Sequence, residues 1–99
     1  MASYSVTSVK SQTLGASTVD TVSFAASNAG NIAVMNRDAA ATISFTYALG
    51  YATATTPTAL GDECYSVPAG QTVTIAAHAY VGSVKLISAG TPAYTVSVV

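Results

Sequence analysis

The chain of 99 residues contains one cysteine and one histidine, Cys64 and His78. A cysteine beside a histidine is the core of a thiol hydrolase, in which the imidazole takes the thiol proton and the sulfur attacks a carbonyl. No local signature of that chemistry surrounds either residue. Cys64 follows Asp62-Glu63, and neighbouring anions disfavour a thiolate. Both residues therefore read as structural, and the chain reads as a non-enzyme. The pair Asp62-Glu63 is a weak calcium signal, because that ion wants six to eight oxygens from several acids at fixed spacing. A solvated loop tip is the simpler reading. The other carboxylates, Asp20 and Asp38, are far apart in sequence, and nothing in it brings them together for paired acid–base work. Arg37-Asp38 reads as a surface charge pair at a turn, worth little. The glycines are scattered singly, so no phosphate-cradling loop is present. These residues imply no cofactor and no metal.

Tyrosine is the remaining chemistry. There are six, against two phenylalanines and no tryptophan. Tyrosine buries a large ring and keeps a hydroxyl, a combination favoured at protein interfaces. Tyr4, Tyr51, Tyr65 and Tyr80 are interface candidates, Tyr51 foremost because it lies in a long loop. Tyr47 and Tyr94 read as core-edge residues. His78 joins the interface candidates, because on a period-two count it shares the less apolar face of its strand with Thr72 and Thr74.

The charge balance narrows the partners. Three cations and four carboxylates give a net charge of −1, and charged residues are 7% of the chain against 51% hydrophobic. Soluble domains are usually about 25% charged. Ala, Ser and Thr supply 19, 12 and 14 residues, so hydroxyls replace ions in solvating the surface. Three scattered cations cannot displace counterions from a nucleic acid. A disordered tail has the opposite composition. The start of the chain carries no cationic segment followed by an apolar run, and no stretch approaches the ~20 apolar residues of a membrane helix. The expectation is synthesis in a cytoplasm, and an unpaired Cys64 suits a reducing compartment.

The elements that position these residues are strands. Apolar and hydroxyl residues alternate with period two, which places successive side chains on opposite faces. In 31–37, Ile32, Val34 and Asn36 share a face. In 42–48, Ile43, Phe45 and Tyr47 oppose Thr42, Ser44 and Thr46. Segments 71–80, 83–88 and 93–99 alternate likewise, with Val81-Gly82 read as the break between the first two. Weaker candidates are 3–10, 18–25 and a short strand over 64–67. Pro68-Ala69-Gly70 and Ala89-Gly90-Thr91-Pro92 are turn sequences. The expected core is Ile32, Val34, Ile43, Phe45, Val73, Ile75, Val84, Leu86, Val96 and Val98. The stretch 48–63 is irregular and reads as a crossover or a projecting loop. The expected fold is all-β: one domain over 1–99, a small β-sandwich or barrel of about seven or eight mostly antiparallel strands, Greek-key or jelly-roll-like. Residues 1–17 read as an N-terminal arm or an edge strand.

Residues 31–99 carry a further pattern: strand NIAVMN, strand TISFTY, an irregular loop, then CYSVPAGQTVTI, SVKLIS and YTVSVV. In architecture and turn placement this resembles the small β-sandwich proteins that decorate or cement the capsids of tailed bacteriophages. The resemblance implies a structural virion protein without catalysis, made in the host cytoplasm and bound to the outer capsid surface. Its implied partners are the major capsid protein and copies of itself, as a homo-oligomer such as a trimer, with no nucleic acid and no membrane. A phage tail component, or a surface- or glycan-binding β-sandwich module, is the alternative. Of the seven charges, Arg37, Asp38, Asp62, Glu63 and Lys85 fall within this region, and all but Lys85 sit in its turns or loop. The strand faces are left nearly neutral, as a module packing against other proteins would require.

Overall fold

The computed structural model describes residues 2–24, 29–50, 52, 54–62 and 64–99, with the backbone alone for residues 29 and 77–81. The alternation of sequence becomes strand throughout, and no helix occurs among the described residues. The strands are β1 (Ala2–Val6), β2 (Val9–Thr13), β3 (Asp20–Phe24), β4 (Ala29–Asn36), β5 (Ile43–Leu49), β6 (Tyr65–Val67), β7 (Thr72–Ile87) and β8 (Ala93–Val98). They form two sheets. Sheet A runs β1-β3-β7-β5-β6, and sheet B runs β2-β8-β4-β7. All pairings are antiparallel except β1 with β3.

The two sheets share β7. Its first half pairs with β4, from Thr72 opposite Met35 to Tyr80 opposite Ala29. Its second half runs between β3 and β5, where Leu86 lies opposite both Asp20 and Phe45. Nine strand positions result, more than the seven or eight expected, because β7 occupies one in each sheet. The expected break at Val81-Gly82 is instead the point where one continuous strand passes between sheets. Gly82 fits there because a Cβ on it would stand 2.0 Å from the Gly50 carbonyl oxygen. The residue marks a close backbone approach, not a chain reversal.

Two other expectations are corrected. The segment 3–10 is not one strand. It breaks at Thr7-Ser8, and its halves join different sheets, with β1 at the edge of sheet A and β2 at the edge of sheet B. The stretch 48–63 does not cross over, since it joins β5 to β6, which pair as antiparallel neighbours. Nor does all of it project. The Leu60 N–H donates to Ser44 Oγ at 2.9 Å, and the Thr46 hydroxyl donates to the Thr55 carbonyl. Ser44 and Thr46 are buried although they point away from the core, and Ala54 and Pro57 are buried with them. The loop therefore lies along the outer face of sheet A.

The core between the sheets holds Val22, Phe24, Ile43, Phe45, Val67, Val84 and Leu86 from sheet A against Ile32, Val34, Tyr94 and Val96 from sheet B, with Leu14 closing one side. Val73, Ile75 and Val98, expected in the core, are half-buried at its margin. Leu14, Val22, Phe24, Val67 and Tyr94 take full places instead. Burying each such side chain is worth about 1.5–3 kcal/mol before conformational entropy is set against it.

Candidate functional site

Asn36 ends β4 on the core side and is buried. Its Nδ2 donates to the Ala41 and Val67 carbonyls at 2.7 and 3.0 Å, and its Oδ1 accepts from the Asp38 N–H at 3.0 Å. One amide thus ties sheet B to β6 of sheet A and shapes the β4–β5 turn. Asp38 continues that turn by accepting from the Ala40 and Ala41 N–H groups at 3.1 and 2.8 Å. These backbone bonds, led by Ala41, hold its carboxyl below the ordinary range. Asp20 is buried and bonded to Tyr94, and Asp62 is exposed in the long loop. The three described aspartates have separate settings, and no group of three or more potential metal ligands occurs among the described residues. Glu63 lies outside the described residues.

Cys64 is a free, half-buried thiol just before β6, at the edge of sheet A. Residue 78 belongs to the half of β7 that pairs in sheet B. The side chains of His78 and Tyr80 lie outside the described residues, as does Tyr51 entirely.

The other two interface candidates are differently placed. Tyr4 is half-buried between the edge strands. Lys10 Nζ lies 4.2 Å from its ring centroid, and Gln12 Nε2 donates to its hydroxyl at 2.9 Å. That tyrosine is engaged within the chain. Tyr65 is 44% exposed. Its ring stacks on Phe45 at 5.4 Å between centroids and tilts against Tyr47 at 5.9 Å. Burial, and then the neighbouring Tyr65 hydroxyl, raise the Tyr47 phenol above its ordinary range. A shallow opening of about 320 Å³ at the ends of β1 and β3 is lined by Ser5, Val6, Thr7, Ser23 and Phe24. It offers hydroxyls and a ring, but no acid, base or thiol.

The feature that sets this molecule apart is the contrast between its two outer faces. The outer face of sheet A carries Lys85 and is partly covered by the chain's own loop. On the outer face of sheet B, Val9, Ser11, Thr13, Met35, Thr72 and Thr74 are exposed. Register places Val9, Ser11 and Thr13 of β2 beside Ser97, Thr95 and Ala93 of β8. Ala33 and Met35 of β4 follow, with Thr74 and Thr72 of β7 beyond them. No charged residue stands among these positions. Ser11 and Thr95 join their hydroxyls at 2.8 Å across the strands. Met35 and Val9 are 43% and 55% exposed. Such a face can be covered by another protein without desolvating an ion, the costly step in burying a polar surface.

Alternation in the sequence marks the Thr, Ser and Ala positions of this face. It does not mark the face as open, because β5 presents Ser44 and Thr46 in the same pattern and they are covered. Val9 and Met35 carried no signal of their own.

No protein-family model matches the chain, and no curated protein or solved structure matches it. No helix among the described residues is long and apolar enough to cross a membrane.

Proposed function

We propose that the chain is a structural virion protein of a tailed bacteriophage, one that binds the outer surface of the capsid and stabilises or decorates it. The observation that carries this reading is the open outer face of sheet B, which holds no charge at its described positions. Four strands about 4.8 Å apart and about five residues long give this face roughly 300 Å². A stable pairwise interface needs about 800 Å² per partner. Docking through this face alone is therefore weak for one copy and becomes effective when copies joined to one another engage a repeating surface together. An icosahedral shell is such a surface. The chain alternates between sheets from β1 to β5, a winding that suits a Greek-key or jelly-roll-like sandwich. The partners on this reading are the major capsid protein and further copies of the chain, with no catalysis.

The test adds purified protein to capsids assembled without it. Saturable binding and greater resistance to heat or osmotic shock are expected. Met35→Glu with Thr95→Glu places two charges on the docking face and is expected to weaken binding at least thirtyfold, about 2 kcal/mol. Unchanged binding of that variant would remove this face from the interface. Sedimentation with tails and not with capsids would make the protein a tail component. Exposed Tyr65 beside Tyr47 favours a glycan-binding module as the second reading, and saturable binding on a glycan array, lost in Tyr65→Ala, would establish it.

A further inference from the structure

We infer that residues 2–14 form an exchangeable arm, which packs onto the body of a second copy of this chain in place of that copy's own arm. The inference goes beyond the capsid reading and stands without it. Three observations combine.

The arm is a unit. Tyr4 of β1 meets Lys10 and Gln12 of β2 through the ring and hydroxyl contacts at 4.2 and 2.9 Å. These contacts lie wholly inside residues 2–14 and survive any exchange.

The arm joins the body as an addition at its rims. Among the described residues β1 pairs only with β3, in parallel, from Ala2 opposite Asp20 to Val6 opposite Phe24. Among the described residues β2 pairs only with β8, from Val9 opposite Ser97 to Thr13 opposite Ala93. One clip thus spans the edges of both sheets. Leu14 follows as a buried knob, its N–H donating to the Pro92 carbonyl at 2.9 Å. Every one of these partners exists on a second copy in the same geometry.

The link to the body is short and conformationally strained. Gly15, Ala16 and Ser17 are exposed and place no side chain in the core. Ser17 has φ of 53°, in the left-handed region that non-glycine residues avoid. The Thr18 N–H closes this tight turn on the Gly15 carbonyl at 3.2 Å. The Ser17 N–H also donates to the Ser88 carbonyl of the body at 2.8 Å. Closed and exchanged forms share the contacts of residues 2–14, so this turn with its two backbone bonds and the protein concentration decide between them. Extending the turn releases Ser17 from its left-handed conformation, and short hinges under strain favour exchange between protomers.

The hydroxyl pair Ser11 and Thr95 supplies the test, since one lies in the arm and the other in the body. In the variant Cys64→Ser, Ser11→Cys, Thr95→Cys, refolded at high concentration and oxidised, exchange links each arm to a neighbour. A covalent dimer or larger closed ring on a denaturing, non-reducing gel is the expected result. Monomer alone, with no free thiol, overturns the inference. Light scattering on the unaltered protein is the second measurement. The expected species is a multiple of 9.9 kDa, whose fraction falls severalfold in Ser17→Gly, where the left-handed turn carries no strain. A monomer at every concentration, or an oligomer indifferent to Ser17→Gly, overturns it as well.

Discussion

The Tyr94 hydroxyl donates to Asp20 Oδ2 at 2.9 Å, inside the protein where β3 begins. Tyr94 belongs to β8 in sheet B and Asp20 to β3 in sheet A, so this bond joins the two layers. Asp20 opens β3 opposite Leu86, which fixes its carboxylate on the inner face. A buried carboxylate without a donor would oppose folding, and Tyr94 supplies that donor while filling the core with its ring.

Tyr94→Phe is expected to destabilise the protein by about 3 kcal/mol, because it leaves a buried charge without its partner. Adding Asp20→Asn is expected to recover part of that loss, giving a coupling of about 1 kcal/mol or more in a double-mutant cycle from urea unfolding. Strictly additive single effects would contradict the pairing. Burial, and then the bond to Asp20, hold the Tyr94 phenol protonated well above its ordinary range. A raised folded value contributes stability that is whole below the unfolded value near 10 and is lost as pH rises beyond it. Between pH 9 and 11 the unaltered protein should therefore lose stability more steeply than Tyr94→Phe.

Asp38 contributes on the acid side. Its carboxyl is lowered from 3.8 by the backbone N–H groups it accepts from, Ala41 first. A lowered folded value contributes stability that is present above 3.8 and is lost as pH falls through the folded value. Urea midpoints measured from pH 6 to pH 2.5 should fall more in the unaltered protein than in Asp38→Asn. Parallel curves would show that the turn draws nothing from the charge.

Asn36→Ala removes two donated bonds and one accepted bond at a buried site. The expected cost is about 2–4 kcal/mol, from two carbonyls and one N–H left short of partners. Amide exchange should also quicken at Asp38, whose N–H loses its acceptor. A loss under about 0.5 kcal/mol would mean that water replaces the side chain.

Gly82→Ala and Gly70→Ala separate two uses of glycine. A methyl at Gly82 would meet the Gly50 carbonyl oxygen at 2.0 Å, whereas at Gly70 it would meet open space but sit at φ of 72°. Gly82→Ala should cost about 2–3 kcal/mol through displaced backbone. Gly70→Ala should cost about 1 kcal/mol, through backbone conformation alone. Thermal unfolding of the two variants checks the order, and a reversed order would refute the close approach at the sheet crossing.

Much of the fold is legible locally. The alternation in 31–37 placed Ile32, Val34 and Asn36 on one face, and all three are buried there. The alternation in 42–48 likewise separated Ile43 and Phe45 from Ser44 and Thr46. What Asn36 holds was not legible, because Val67 lies 31 residues away and no local pattern announces the meeting. Asp20 was hidden for the same reason: its partner, Tyr94, is 74 residues distant.

Composition and period, then, determined that the regular elements of the described residues are strands and that hydroxyls, not ions, coat them. Side-chain sidedness within one strand is a local property of an extended backbone, so it survives without knowledge of neighbours. Tertiary structure alone decided which hydroxyl face is covered and which is bare. Ser44 and Thr46 vanish under a loop because their hydroxyls bond to its backbone, whereas Thr72 and Thr74 stay exposed. It also decided that β7 serves both sheets and that the first strands clasp both rims. Those outcomes rest on pairing between residues far apart in sequence, whose register and contacts exist only once the sheets have assembled.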